Sequence, residues 1–423
     1  MSRIVMKFGG TSVGSIDKIK NVANIVKTTF SEGHEVVVVL SAMAGETDRL
    51  INLTNDLSDN FSEEEYDVVI STGEQVSVGL LSAALNDNGI DARTCLGWQV
   101  PIITSSDHMS ARIEGIKSEF INAILKEQKV CVIPGFQGIT VEGRVTTLGR
   151  GGSDTSAVAI AAAINADFCD IYTDVDGVYT TDPNKVPEAK RLDKVSYEEM
   201  LEMASLGAKV LQTRSVETAM TNNVALRVLS SFENLNESKG TIVTDEDSIN
   251  DQRIVTGVTS SVNDCKITLI GVRDKPGIAA KIFSSLSENN INVDMIVQNI
   301  SESAKNTDIT FTIPKADIKN AEKIMKQLRT DVTYESILID SNIAKISIVG
   351  VGMRSNAGVA AKMFNVLSEN DINIDVISTS EIKISILINN DQAEKAVRML
   401  HEYFLLTNLI MNNPYGININ RNK

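Results

Sequence analysis

The sequence is poor in several residues that carry chemistry elsewhere. Its 423 residues include four cysteines, three histidines, one tryptophan and seven prolines, and aromatic residues make up 4 %. Cys95, Cys131, Cys169 and Cys265 are far apart and form no CxxC pair, so they read as small buried hydrophobes of a reducing compartment rather than a disulfide framework. His34, His108 and His401 are isolated from one another and from the cysteines, which leaves no zinc spacing, and no protein-held metal is expected. No run of 18 apolar residues occurs, and Ser2-Arg3-Ile4-Val5-Met6-Lys7 runs straight into a glycine turn. Neither a membrane span nor an export signal is expected, and the chain should be cytoplasmic.

Positive charge is also scarce. Lys and Arg number 40 against 55 Asp and Glu, for a formal net charge of −15. That deficit argues against nucleic-acid binding through a broad basic face and against docking on anionic lipid. A small anionic substrate remains open, because a site needs only a few local cations. The deficit is confined to one part of the chain: residues 1–250 hold 21 basic and 36 acidic side chains, residues 251–423 hold 19 of each. Two units with different surfaces are expected.

Short apolar runs alternate with helix-length segments up to about residue 240. Ile4-Val5-Met6, Val36-Val37-Val38-Val39-Leu40, Asp67-Val68-Val69-Ile70, Val130-Cys131-Val132-Ile133, Ile171-Tyr172-Thr173 and Ala225-Leu226-Arg227-Val228-Leu229 are such runs. The valine run has no period-2 alternation, which suits a central strand covered on both faces. Helices are expected near 15–30, 74–87, 157–166 and 197–220. This alternation predicts an α/β domain with a mainly parallel sheet.

A polar stretch at 233–253 ends the alternation, and an internal repeat follows. Residues 274–298 and 355–379 align without gaps at a spacing of 81, with 13 of 25 positions identical. Each copy predicts strand, turn, helix and strand, the first using Ile267-Thr268-Leu269-Ile270, a helix opened by Gly277, and Ile291-Asn292-Val293. A further strand and helix complete each copy as a ferredoxin-like βαββαβ unit.

Three glycine-rich motifs carry candidate chemistry. Lys7-Phe8-Gly9-Gly10-Thr11-Ser12 follows the first strand, where exposed backbone N–H groups and a helix start favour an anion. Its lysine precedes the glycines, so the nucleotide P-loop pattern does not apply. Leu148-Gly149-Arg150-Gly151-Gly152-Ser153-Asp154 opens a helix and offers an anion nest beside a guanidinium that reads carboxylates; a plain N-cap turn is the alternative. Tyr172-Thr173-Asp174-Val175-Asp176-Gly177-Val178-Tyr179 lacks the later ligands of a calcium loop and reads as a polar or nucleotide-edge loop. Gly207-Ala208-Lys209-Val210-Leu211 is a fourth candidate, with Lys209 either solvated or facing an anion.

These motifs, with Ser41-Ala42-Met43 and Ser71-Thr72-Gly73-Glu74-Gln75, resemble those of the aspartate kinases, members of the amino-acid kinase family. The duplicated units resemble ACT domains. The resemblance covers essentially the whole chain. It implies a three-layer αβα amino-acid kinase fold with a mainly parallel sheet, followed by two ferredoxin-like ACT domains. The implied borders are 1–245 for the catalytic domain, 246–261 for a linker and a strand of the second ACT unit, 262–338 for the first ACT unit and 339–423 for the second.

The resemblance also implies roles. Lys7 would hold the transferring phosphoryl group beside Gly9 and Gly10, with Asp154 orienting Lys7. Arg150, Gly151, Gly152 and Ser153 would bind the α-carboxylate end of L-aspartate, and Glu74 its ammonium, with Ser41 and Thr47 lining the pocket. Thr173, Asp174, Tyr179, Lys209 and Val210 would bind ATP, with Mg²⁺ riding on its phosphates. Many relatives carry Arg after the Asp182-Pro183 pair; Asn184 stands here, so either that ATP contact is lost or Lys185 would take it over. Lysine, threonine or both are expected as effectors at Asp274, Lys275, Pro276, Gly277, Ile278, Ala279, Asn292, Gln298 and, in the second copy, Gly358. A homodimer or homotetramer through the ACT units is expected.

Overall fold

The computed structural model describes residues 1–58, 60–207, 210–233, 239–249, 253–300 and 306–407. Two compact units emerge: Met1–Tyr179 with Arg191–Asp251, and Thr180–Lys190 with Gln252–Lys423.

The first unit is built on an eight-stranded sheet. Its strands lie in the spatial order Lys194–Ser196, Thr241–Thr244, Leu226–Ser230, Phe168–Thr173, Arg3–Phe8, Glu35–Leu40, Val130–Pro134 and Ala92–Thr94. All neighbours are parallel except the Leu226–Ser230 and Thr241–Thr244 pair. The pleat sends Ile4, Met6, Phe8, Val36, Val38 and Leu40 into one core with helices Ile16–Ser31 and Thr72–Asp87. Val5, Lys7, Val37 and Val39 therefore face the other side, where helix Gly152–Ala163 packs on the Arg3–Phe8 strand. Coverage on both faces is why these strands are continuous apolar runs. A smaller four-stranded sheet (Ile102–Thr104, Ile113–Ile116, Gln137–Ile139, Val145–Thr147) completes the unit.

Three local expectations change. Asp67-Val68-Val69-Ile70 lies in helix Glu63–Ile70, which continues through Ser71 into helix Thr72–Asp87. The stretch Glu63–Asp87 reaches a mean hydropathy of 1.4 over 18 residues and by length and composition alone could cross a membrane; half of that window is buried inside the protein. The apolar residues there serve a core helix, which a short run cannot distinguish from a strand. The helical region at 197–220 is two helices, Tyr197–Ser205 and Thr213–Asn222. Ile291-Asn292-Val293 precedes its strand, which is Ile296–Ile300.

The second unit holds two antiparallel four-stranded sheets. In the first repeat the order is Ile296–Ile300, Asn306–Pro314, Asp264–Arg273 and Ser336–Asp340, with helices Ile278–Glu288 and Ile318–Leu328. In the second it is Gly257–Ser261, Ile343–Val349, Lys383–Asn389 and Val376–Thr379, with helices Val359–Glu369 and Ala393–His401. The fourth place in the second sheet is thus filled by a strand from ahead of the first repeat. Lys345 pairs with Asp294, and Lys266 with Asp375. Asp294 and Asp375 are equivalent across the 81-residue spacing, so each repeat holds the other by the same acidic position.

Candidate active site

Chain order moves from the Arg3–Phe8 strand to one side of the sheet, then returns to the other side with Phe168–Thr173. Such a reversal opens a crevice at the carboxyl ends of parallel strands. Gly9-Gly10, Ser41-Ala42, Gly135-Phe136 and Asp174 all follow directly on those ends, and Thr173 closes its strand. The links are short: Ser41 N donates to Phe8 O (3.1 Å), Gly135 N to Leu40 O (2.9 Å) and Gly9 N to Tyr172 O (3.4 Å).

Lys7 Nζ lies 2.5 Å from Asp154 Oδ1, an ion pair whose angle falls outside a directed hydrogen bond. Both groups are buried. Asp154 sits in the first turn of helix Gly152–Ala163, where the helix dipole favours an anion. That helix is capped by Gly151 in the left-handed region, φ +72°, and a methyl there would lie 2.2 Å from Gln212 Cγ. Arg150, one residue earlier, is exposed. Gly9 approaches Lys7 closely, its Cβ direction ending 3.5 Å from Nζ.

Glu74 is 3 % exposed and its Oε1 accepts from Ala42 N at 3.1 Å. Among the described residues its Oε2 is buried without a partner. Burial pushes its carboxyl up to about 7, against the pull of the Ala42 N–H. A buried carboxylate oxygen with an open valence is a receptor for a cation or donor. Ser77 Oγ donates to Ser41 O at 2.9 Å, tying the Glu74 helix to the next strand end. Thr47 is half-buried in the first turn of helix Glu46–Leu57.

On the other side of the crevice Thr173 Oγ1 donates to Asp174 Oδ1, and Ser231 N donates to Thr173 O. Tyr179 OH donates to Asp176 Oδ1 at 2.8 Å while Arg191 Nη1 holds the other oxygen at 3.1 Å. Asp176, left unused by the sequence reading, thus fixes Tyr179. Gly10-Thr11-Ser12-Val13-Gly14 has the letters of a serine nucleophile elbow, but Ser12 is buried and its Oγ is shared with Ser231.

Lys185 falls in the second unit, where its Nζ donates to Ser260 Oγ at 3.1 Å. Lys209 lies outside the described residues; Val210 is half-buried. Gly135 and Phe136 carry no sequence signal, yet Gly135 packs on Ser153 and Phe136 on Gly152. In the repeats Gly277 (φ +92°) and Gly358 (φ +88°) each cap a helix start with open space above. Asp274, Lys275, Pro276, Ala279, Asn292 and Gln298 are exposed and Ile278 is half-buried.

Comparison with known proteins gives consistent matches. The amino acid kinase family matches residues 2–230, and the ACT domain matches residues 267–327 and 346–404. The aspartokinase of Pseudomonas aeruginosa is 52 % identical over 408 residues, covering 96 % of this chain and 98 % of that one. The crystal structure of E. coli aspartokinase III in complex with aspartate and ADP superposes with a TM-score of 0.79 at 26 % identity, covering 95 % of this chain and 99 % of that chain. The structure of the same enzyme in complex with lysine and aspartate has a TM-score of 0.76, with the same identity and coverage.

Proposed function

The chain belongs to the aspartate kinases of the amino acid kinase family and carries ACT units, and from that premise we propose how it works. The γ-phosphoryl group of ATP passes to the β-carboxylate of L-aspartate, giving ADP and 4-phospho-L-aspartate, the first step toward lysine, threonine and methionine. The nucleophile has a free pKa of ~3.9 and is already ionised at pH 7. No general base is therefore needed. A bond forms from the carboxylate oxygen to the γ-phosphorus while the bond to the bridging oxygen of ADP breaks, and no proton moves.

What remains is to bring two anions together and stabilise charge in flight. Lys7 supplies the cation, Asp154 holds it, and the N-terminus of helix Gly152–Ala163 adds its dipole. Arg150 takes the α-carboxylate of aspartate. Glu74 takes the α-ammonium, and its unpartnered buried Oε2 is the observation that carries the substrate assignment. Thr173, Asp174 and Tyr179 hold the adenosine end, and Lys209 and Val210 the phosphates. Mg²⁺ enters as part of the Mg·ATP substrate, carried on its phosphates.

Lysine, threonine or both bind at the helix starts after Gly277 and Gly358, whose first-turn N–H groups receive a carboxylate. Asp274 and Lys275 in the first loop become Ser355 and Asn356 in the second, so the two sites are not equivalent. Lysine bound to E. coli aspartokinase III supports this reading. Ile296 and Ile377, at equivalent places on edge strands, are exposed, which supports a homo-oligomer through these units. The enzyme works in the cytoplasm.

An aspartate hydroxamate assay with ATP and Mg²⁺, titrated with lysine and threonine singly and together, tests the proposal. Turnover of aspartate that one or both effectors suppress is expected. No turnover, or faster turnover of glutamate, overturns the substrate assignment.

A further inference from the structure

Asp67 is a charged residue with 0 % exposure, and nothing in the chemistry above uses it. A buried carboxylate is costly unless its lone pairs are matched. Two other segments, residues 108–109 and the strand that ends at Thr147, supply the donors. His108 Nδ1 donates to Oδ2 at 2.7 Å, Met109 N to both oxygens at 3.1 Å, and Thr147 Oγ1 to Oδ1 at 2.6 Å.

Each segment leads to a substrate-reading residue. Asp67 lies on helix Glu63–Ile70, which runs on through Ser71 into the helix that bears Glu74. Thr147 ends the strand Val145–Thr147, three residues before Arg150. Met109 adopts φ +63°, a left-handed conformation that is unfavourable for a side-chain-bearing residue. Its N–H bond to Asp67 holds it there. Its carbonyl oxygen then stands 3.2 Å from where a Cβ on Gly149 would project, directly under the Arg150 turn. Ala111 N donates to Thr147 O at 2.9 Å and closes the loop onto the same strand.

We propose that Asp67, acting through His108, Met109 and Thr147, is a positioning residue for aspartate recognition: one buried carboxylate sets the distance between Arg150 and Glu74. This rests on the roles given above to those two residues. Lys7 and the Thr173 to Tyr179 loop are held by other contacts, so the device acts on the amino-acid substrate and leaves the nucleotide untouched.

The experiment measures KM for aspartate and for ATP in the full-length enzyme and in T147V, T147S and D67N. Valine replaces the Thr147 hydroxyl by a methyl group of similar size, whereas serine keeps the hydroxyl. T147V and D67N are expected to raise KM for aspartate about tenfold with KM for ATP within about twofold of wild type, and T147S to restore the wild-type value. An unchanged KM for aspartate in T147V, or equal rises in both KM values, overturns the proposal. If D67N fails to fold, the T147V and T147S pair decides alone. Failure of the wild-type enzyme to use aspartate is a different result, and it overturns the functional reading instead.

Discussion

Glu74 pays for its burial in its acidity. A carboxyl held at about 7 is largely neutral at pH 6 and ionised at pH 8, and only the ionised form receives an ammonium. The affinity for aspartate therefore rises as pH climbs through 7. The thermal shift produced by a fixed aspartate concentration should be larger at pH 8 than at pH 6, and Glu74→Gln should abolish that difference. Lys7 gives a sharper expectation. Its ammonium is the buried cation paired with Asp154, and removing such a charge-stabilising group costs about 10²–10³ in rate. Lys7→Ala should lower kcat by that order with the fold intact by circular dichroism; near-normal kcat would sink the phosphoryl-holding role. Motifs exposed these residues because glycines and charges cluster in sequence around them. Asp67 gave no such signal: its donors come from residues 41, 42 and 80 positions away.

At the scale of elements, the turn that ends in Gly151 decides where helix Gly152–Ala163 begins. A Cβ there meets both an unfavourable φ of +72° and the Gln212 side chain. Gly151→Ala should reduce kcat/KM for aspartate more than tenfold, and adding Gln212→Ala should recover part of the loss by relieving the clash but not the backbone strain. The measurement is the double-mutant comparison. Continuous apolar runs were legible as central strands, since burial on both faces removes alternation. The run at 67–70 was not, because three apolar residues after Asp67 fit a helix as well as a strand. Asn223 shows the same limit at a helix end: it adopts φ +53° to close helix Thr213–Asn222, and nothing in the local sequence marks where that helix separates from Tyr197–Ser205 within the helical region at 197–220.

Across the whole molecule, the chain leaves the first unit at Tyr179 and returns at Arg191. The intervening segment belongs to the second unit. Val258 N donates to Thr180 O at 2.8 Å, and Thr180 Oγ1 shares a 2.9 Å bond with His401 Nε2. His401 is 1 % exposed, its Nδ1 has no partner among the described residues, and burial lowers its pKa from 6.5, with Glu188 opposing and Lys190 adding to the shift. The folded state therefore favours the neutral ring, while the unfolded chain takes up a proton below about 6.5. Stability present above that pH is lost as pH falls through the depressed value. The stability advantage of wild type over His401→Gln, read by thermal unfolding, should shrink between pH 7 and pH 5; a constant difference would show that the ring does not titrate on unfolding.

The sequence by itself determined the parallel α/β class, the duplicated βαββαβ units and the glycine-rich loops, because period, repetition and turn chemistry are local properties. Only the tertiary structure decided that Lys7 faces Asp154 and that Glu74 keeps an open oxygen. It also decided that Asp67 joins three segments, that Gly257–Ser261 completes the second repeat's sheet, and that Thr180–Lys190 belongs with the repeats. The scarcity of cations is reconciled in the same way. A net charge is a sum over the chain, whereas a site depends on which few charges the fold brings into one crevice, and burial multiplies the effect of each.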